Sequence, residues 1–332
     1  MLSLTLASLV IWAAILVLPW RPWGTAERLS PLDPGGTESL TDVSVLIPAR
    51  NEAACIAETL RAVAAQGELA SIVLVDDESD DGTGEIARGL GLSHLKVLRG
   101  SRPESGWSGK LWALSQGLDA VATPYTLLLD ADIKLAPGIV AALKAKLEAE
   151  GLDMVSIMAT LSMTTWWERL LIPPFIYFFK LLYPFALANS PHPLVAAAAG
   201  GCILIRTGRL RGIGGFAALK DALIDDCTLA RRVKDAGGRT WLGLSRAVAA
   251  ARPYESVGTI WNMVARTAFT QLRYSSALLV LCTLGLILVY VIPVLGSFDP
   301  AAMTRLMGIL AVAAMCASYL PILHYYDRHW VW

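Results

Sequence analysis

Charge is scarce in this sequence: Asp, Glu, Lys and Arg make up 17% of the residues, against 55% hydrophobic ones, and the mean hydropathy is +0.52. Soluble domains carry about 25% charged residues, so part of this molecule belongs in lipid. Neither sign of charge is in excess, with 28 basic and 28 acidic residues. That balance removes the basic field on which nonspecific nucleic-acid binding depends, and no nucleic-acid partner is expected. Cysteine is sparse and unpatterned. Cys55, Cys202, Cys227, Cys282 and Cys316 show no CxxC or paired spacing, which fits a reduced, cytosolic setting for the soluble part. No internal repeat is present.

What the chain does have is apolar runs at both ends. Leu2 to Trp20 approaches the ~20 residues a bilayer core requires of a helix, and the absence of Lys or Arg from Met1 to Ser8 is unlike a cleaved secretory signal. Residues 1–20 therefore read as a transmembrane anchor. Residues 21–41 read as a linker, because Ser30 to Thr41 is rich in Pro, Gly, Ser and Thr. Near the carboxyl end, Ser276 to Val294 and Ala301 to Leu320 read as two further spans in a membrane region covering 256–332. Arg21, Arg28, Arg266 and Arg273 lie on the side of these runs that leads into the central region, so in a multi-pass inner-membrane protein the positive-inside rule predicts that this central domain is cytoplasmic. His324 to Trp332 is an aromatic and polar cluster suited to a membrane interface.

Between the apolar ends, from Asp42 to about residue 255, short apolar runs alternate with helical patterns. Val43 to Ile47, Ile72 to Val75, Lys96 to Leu98 and Tyr125 to Leu129 lack polar alternation, as strands buried on both faces do. The fold class expected is a doubly wound, mostly parallel α/β sheet with transmembrane helices at both ends. Ligands bind such sheets beyond the carboxyl ends of the strands, and there this sequence places its polar residues: Pro48 to Glu52, Asp76 to Ser79, and Asp130 to Asp132. Asp130 and Asp132, two apart after a strand, suit one hard divalent cation shared with a diphosphate. Asp225 and Asp226 open a helix that Gly237 and Gly238 close. Either carboxylate can be a general base near the helix amino end or simply its N-cap. Trp166 to Tyr183, dense in aromatics with Arg169 and Lys180, suits an interfacial helix or else a core helix.

Taken together, "LIPARNE", "VDDESDDGT", "GWSGKLWAL", "LLLDADI", "GGCILIRTGRLRGIGGF" and "IDDCTLARRVKDAG" resemble family 2 glycosyltransferases over roughly residues 43 to 240. Within that family the chain is most similar to the hopanoid-biosynthesis-associated members and more distantly to ceramide glucosyltransferases. The resemblance implies a fold of the GT-A type, a nucleotide-diphosphate sugar donor, a lipid acceptor and a divalent metal, Mg²⁺ or Mn²⁺. It implies donor contacts at Pro48, Glu52, Asp76, Asp77, Lys110 and Asp130, metal ligands at Asp130 and Asp132, and a catalytic base at Asp226. The family usually has Glu-Asp where this chain has Asp225-Asp226, so either is open as the base. Thr270 to Tyr274 departs from the QxxRW signature of processive members, although Arg273 can still meet a diphosphate. The catalytic domain expected is 42–255, with residues 166–190 as an interfacial segment. The rival readings are a polyprenyl-phosphate glycosyltransferase, a polysaccharide synthase, and an inactive scaffold with a nucleotide-binding fold.

Overall fold

The computed structural model describes residues 1–33, 39–192, 194–220, 222, 224–254 and 256–329. The expected linker thus falls partly outside the described residues, as do the boundary at 255 and the last residues of the terminal aromatic cluster. The chain forms two compact units: Glu27–Ser162 with Leu187–Pro253, and Met1–Ala26 with Met163–Ala186 and Tyr254–Trp332. Of the expected interfacial segment 166–190, residues 166–186 belong to the second of these and 187–190 to the first.

The first unit is built on an eight-stranded sheet of β1 (Val43–Ala49), β2 (Ser71–Asp76), β3 (Leu95–Arg99), β4 (Tyr125–Leu129), β5 (Ile133–Leu135), β6 (Met154–Thr160), β7 (Cys202–Arg206) and β8 (Thr240–Ala250). Their order is β3-β2-β1-β4-β7-β6-β8-β5. The pairs β3-β2, β2-β1, β1-β4 and β6-β8 are parallel, whereas β7 runs antiparallel to both β4 and β6, and β5 antiparallel to β8. Successive residues face opposite sides, so Val43, Val45 and Ile47 enter one apolar cluster while Leu46 enters the other. Helices Ile56–Ala64 and Ile139–Ala149 cover the first face. Helices Gly109–Leu118 and Asp225–Asp235 cover the second. Both faces being buried explains the unbroken apolar runs of β1, β2 and β4, whereas β3, expected to be buried likewise, lies at the sheet edge and is only partly covered. The segment before β1 is more than a tether, because Arg28 bridges to Leu244 in β8 and the Leu32 N–H donates to the Gly138 carbonyl at 3.2 Å.

In the second unit, Ser276–Gly296 (21 residues) and Ala302–Tyr325 (24 residues) are long and apolar enough to cross a membrane. The expectation of a spanning helix at the amino end as well is corrected. That helix is Leu2–Val17, 16 residues, or about 24 Å at 1.5 Å per residue, short of a ~30 Å hydrocarbon core. The reason is local. Pro19 disfavours helical backbone at the residue before it, and Leu18 is accordingly extended with ψ 131°. The short helix still joins the others through polar atoms: Trp12 Nε1 and Ser8 Oγ donate to the Val289 carbonyl at 2.8 and 3.3 Å. Pro293, four residues on, has no N–H with which to satisfy that carbonyl. Helix Trp166–Leu182 begins with a Thr165–Glu168 capping box and holds Pro173 and Pro174 internally. It buries Ile172, Ile176 and Tyr177, joins Tyr177 Oη to Ser318 Oγ at 2.6 Å, and leaves Trp166 and Phe178 exposed.

Candidate active site

Because β2, β1 and β4 are adjacent and parallel, their carboxyl ends share one edge, and the residues following them line an open cleft of 490 Å³. Pro48, Glu52, Asp77, Lys110, Asp130 and Asp132 all line it. Antiparallel pairing then brings the start of β7 to the same edge, with Leu129 opposite Cys202, so that the Asp130 N–H donates to the Gly201 carbonyl at 3.1 Å. A narrow crevice continues from Pro48, Lys110 and Asp130 to Asp225, Asp226 and Gly200.

Lys110 stands in the first turn of helix Gly109–Leu118, capped by Ser108. A cation there opposes the helix dipole, so carboxylate partners are needed to hold it. Its Nζ lies 2.6 Å from Asp130 Oδ1. Burial pushes its pKa down, but Asp130, Asp225 and Asp226 more than reverse this, and the net shift is upward. Lys110, whose side chain keeps 38% of its exposure, is therefore an ion-paired ammonium between the DxD pair and the helix that carries Asp225 and Asp226.

Asp225 and Asp226 both lie in the first turn of their helix, and the N-cap position belongs to Ile224, which removes the capping reading. Asp226 Oδ2 accepts from the Gly200 N–H at 2.8 Å and Oδ1 from the Cys227 N–H at 2.7 Å. Burial, then the charge of Asp225, raises its pKa to about 6 despite those donors and Lys110. A carboxylate with that affinity is ionised at neutral pH yet close enough to it to take a proton. At the helix's other end Gly237 adopts φ 75° and the Gly238 N–H reaches the Val233 carbonyl at 2.8 Å, the expected stop.

Asp77 is 3% exposed, and its Oδ1 has no hydrogen-bond partner among the described residues. Arg50 lies 3.6 Å from Oδ2, and burial outweighs that cation in raising the Asp77 pKa. The neighbouring Gly109 has no room for more: a Cβ there would stand 2.7 Å from Asp77 Oδ2. Asp76 turns away from the cleft, accepting from the Ser79 N–H at 3.2 Å with Gly84 packed against it. Arg273 belongs to the other unit, where it follows helix Val257–Gln271 in a left-handed turn with Tyr274 (φ 50° and 56°).

The sequence profile of glycosyl transferase family 2 matches residues 44–213, more than half of the 332 residues and all of the strand ends just described, while Asp225 and Asp226 lie beyond it. The chain belongs to glycosyl transferase family 2. Among curated relatives, the 4,4'-diaponeurosporenoate glycosyltransferase of Staphylococcus haemolyticus is 32% identical over 98 residues, 30% of this chain and 26% of that one. The Staphylococcus aureus enzyme of the same name is 30% identical over 91 residues, 27% and 24% of the two chains. The chain thus spans about a quarter of the length of these relatives. Among solved structures, a mannosyltransferase from Pyrobaculum calidifontis in complex with GDP-Man and Mn²⁺ superimposes with a TM-score of 0.54 over 98% of this chain and 100% of that one, at 18% identity. Glucosyl-3-phosphoglycerate synthase from Mycobacterium tuberculosis, in complex with Mg²⁺ and UDP, gives 0.50 over 75% and 86% at 16% identity. At such identities the likeness establishes the fold, a GT-A-like sheet.

The family 2 site also contains residues that the sequence reading passed over. Arg252, just past β8, is ion-paired with Glu52, 200 positions away, and the adjacent Ala251 N–H donates to the Asp132 carbonyl at 2.6 Å. Nothing in the sequence around Arg252 reveals that partner. Arg50 was legible in principle, lying between Pro48 and Glu52 in a motif already singled out. Gly200 fixes Asp226 by a backbone N–H, which no residue type announces.

Three observations bear on a metal. No group of three or more His, Cys, Asp or Glu among the described residues forms a ready cage. The all-oxygen pair Asp130 and Asp132 suits a hard ion that draws its remaining ligands from water and a diphosphate. Burial first, then Glu52, raises the Asp132 pKa, the mark of a carboxylate short of positive charge. Among the described residues that line the two pockets, the acidic ones are Glu52, Asp77, Asp130, Asp132, Asp225 and Asp226 and the basic ones Arg50 and Lys110, with Arg252 ion-paired to Glu52. A site so acidic repels a diphosphate unless a cation accompanies it. The residues present fit Mg²⁺ or Mn²⁺.

Proposed function

We propose that this family 2 member is a membrane-bound, inverting glycosyltransferase that moves a sugar from a nucleotide-diphosphate donor, a UDP-sugar, to the hydroxyl of a membrane lipid. The observation that carries the reading is the single cleft in which a DxD pair, an ion-paired lysine and a carboxylate raised to about 6 converge. In this reading Asp130 and Asp132 would hold the divalent ion, and the chemistry supplied there would be charge compensation for the departing diphosphate. Asp226 accepts the proton of the acceptor hydroxyl as its oxygen bonds to the anomeric carbon and the bond from that carbon to the diphosphate oxygen breaks. The sugar's configuration inverts in this single displacement. Lys110 lies where it can take up phosphate charge. The Oδ1 of Asp77, buried and without a partner among the described residues, is open to an N–H or O–H donor, since an unsatisfied buried acceptor costs about 1–3 kcal/mol. The imide N–H of uracil supplies one.

The lipid acceptor rests on two supports: the apolar helices of the second unit, and relatives named for 4,4'-diaponeurosporenoate. Within that class we propose a hopanoid or related polyisoprenoid alcohol, with the catalytic unit on the cytoplasmic side of the inner membrane, where nucleotide sugars are made. The test is a screen of the detergent-purified chain against nucleotide sugars and extracted lipids, read by mass spectrometry. A glycosylated lipid supports the reading, whereas efficient transfer to a soluble sugar with no gain from any lipid overturns the acceptor.

A further inference from the structure

The described residues of 189–200 run alongside the base-carrying helix Asp225–Asp235 without regular structure, yet they are held at both ends and at points between. At one end the Asn189 side chain brackets Leu242 in β8, accepting from its N–H at 2.6 Å and donating to its carbonyl at 3.0 Å. At the other, Ser156 Oγ in β6 brackets Ala199 in the same way, at 2.8 and 3.0 Å. Between these brackets the segment runs antiparallel to the helix. Asp226 Oδ2 takes the Gly200 N–H, and Arg231 donates to the Leu194 carbonyl at 2.9 Å. Lys234 Nζ donates to the carbonyls of Ser190, His192 and Val195 at 2.8, 3.3 and 2.7 Å.

Lys234 is the unusual member of this set. It is 7% exposed, and burying an ammonium is costly unless hydrogen bonds compensate. Here all three N–H donors are used, each on a backbone carbonyl of the same strap. Burial, with Arg231 nearby, lowers its pKa to about 8, which leaves it charged at neutral pH. A leucine would fill the space without that cost. What the lysine adds is a fixed course for three carbonyls of the strap whose far end presents the Gly200 N–H to Asp226.

We propose that Lys234 is a positioning residue for the transfer reaction, holding strap 189–200 so that the Gly200 N–H fixes the carboxylate of Asp226. The catalytic half of this inference rests on Asp226 being the base, as proposed above. The test uses the full chain in detergent, as wild type and as Lys234→Met, Lys234→Arg and Asp226→Asn. Hydrogen exchange at Gly200 is read by mass spectrometry, UDP binding with Mn²⁺ by calorimetry, and turnover with UDP-glucose and extracted lipid. Lys234→Met is expected to speed Gly200 exchange at least tenfold and lower kcat at least tenfold, while the donor KM and the UDP affinity move less than twofold. Lys234→Arg, which keeps the donors, is expected to restore kcat to within about threefold. If Lys234→Met does not accumulate folded, Arg231→Met, which releases only the Leu194 carbonyl, carries the same test with a smaller effect of the same sign. Unchanged exchange at Gly200 overturns the strap itself. Faster exchange with full kcat, in a protein that Asp226→Asn inactivates, overturns the positioning role and leaves the base intact. Full turnover in Asp226→Asn removes the base reading, and the catalytic half of this inference with it.

Discussion

Asp226 is where acid–base chemistry and folding pull in opposite directions. Its pKa rises from 3.8 to about 6 because burial and Asp225 disfavour the charge. Between those values the folded chain binds more protons than the unfolded one. The group's contribution to stability is therefore fully present below pH 3.8 and is lost as pH rises through about 6. The proposed role as general base needs the opposite, ionised form. Turnover is expected to fall about tenfold per pH unit below 6 while thermal stability does not fall from this group, measured as kcat against pH beside melting in the same buffers. A rate flat from pH 7 down to 4.5 contradicts Asp226 as the titrating base. The residues most legible at this scale were those fixed by their immediate neighbours, such as Asp130 and Asp132 after β4. Arg252 and Gly200 were not, because what gives them a role is a partner brought near only by sheet pairing.

At the scale of elements, strands β1, β2 and β4 were readable because each buries both of its sides and so writes an uninterrupted apolar run. The amino-terminal helix was overread for a related reason. Apolar composition continues to Trp20, but backbone geometry at Leu18 stops the helix earlier, and composition does not register a φ/ψ restriction. Helix Trp166–Leu182 shows what pattern alone leaves open, since it packs Ile172, Ile176 and Tyr177 inward while exposing 61% of Trp166 and 44% of Phe178. If its outer face meets lipid, each of those rings contributes burial of roughly 100 Å², or about 2 kcal/mol at ~25 cal/mol per Å². Trp166→Ser and Phe178→Ser are expected to raise the apparent KM for lipid acceptor at least tenfold and the donor KM less than twofold, with melting unchanged. Equal rises in both constants, or a lowered melting temperature, contradict a lipid-facing role.

At the scale of the whole molecule, the chain returns twice from one unit to the other, so one polypeptide carries both a sheet that binds at its carboxyl edge and a set of apolar helices. The proposed topology puts Glu104, in the catalytic unit, on the cytoplasmic side, and Phe298, 81% exposed between the two candidate spans, on the far side. Cysteines introduced at these two positions are expected to react with an impermeant reagent from opposite faces of sealed vesicles. Reaction from the same face contradicts the topology. The central claim, that one cleft activates a nucleotide sugar and deprotonates a lipid hydroxyl, is tested most directly by following UDP-sugar transfer to extracted membrane lipid in wild type, Asp226→Asn and Asp132→Ala, with donor binding measured on the same samples. The account predicts that Asp226→Asn loses transfer by ~10² to 10⁴ while binding donor normally, and that Asp132→Ala loses metal-dependent donor binding. Near-normal transfer in both variants contradicts it.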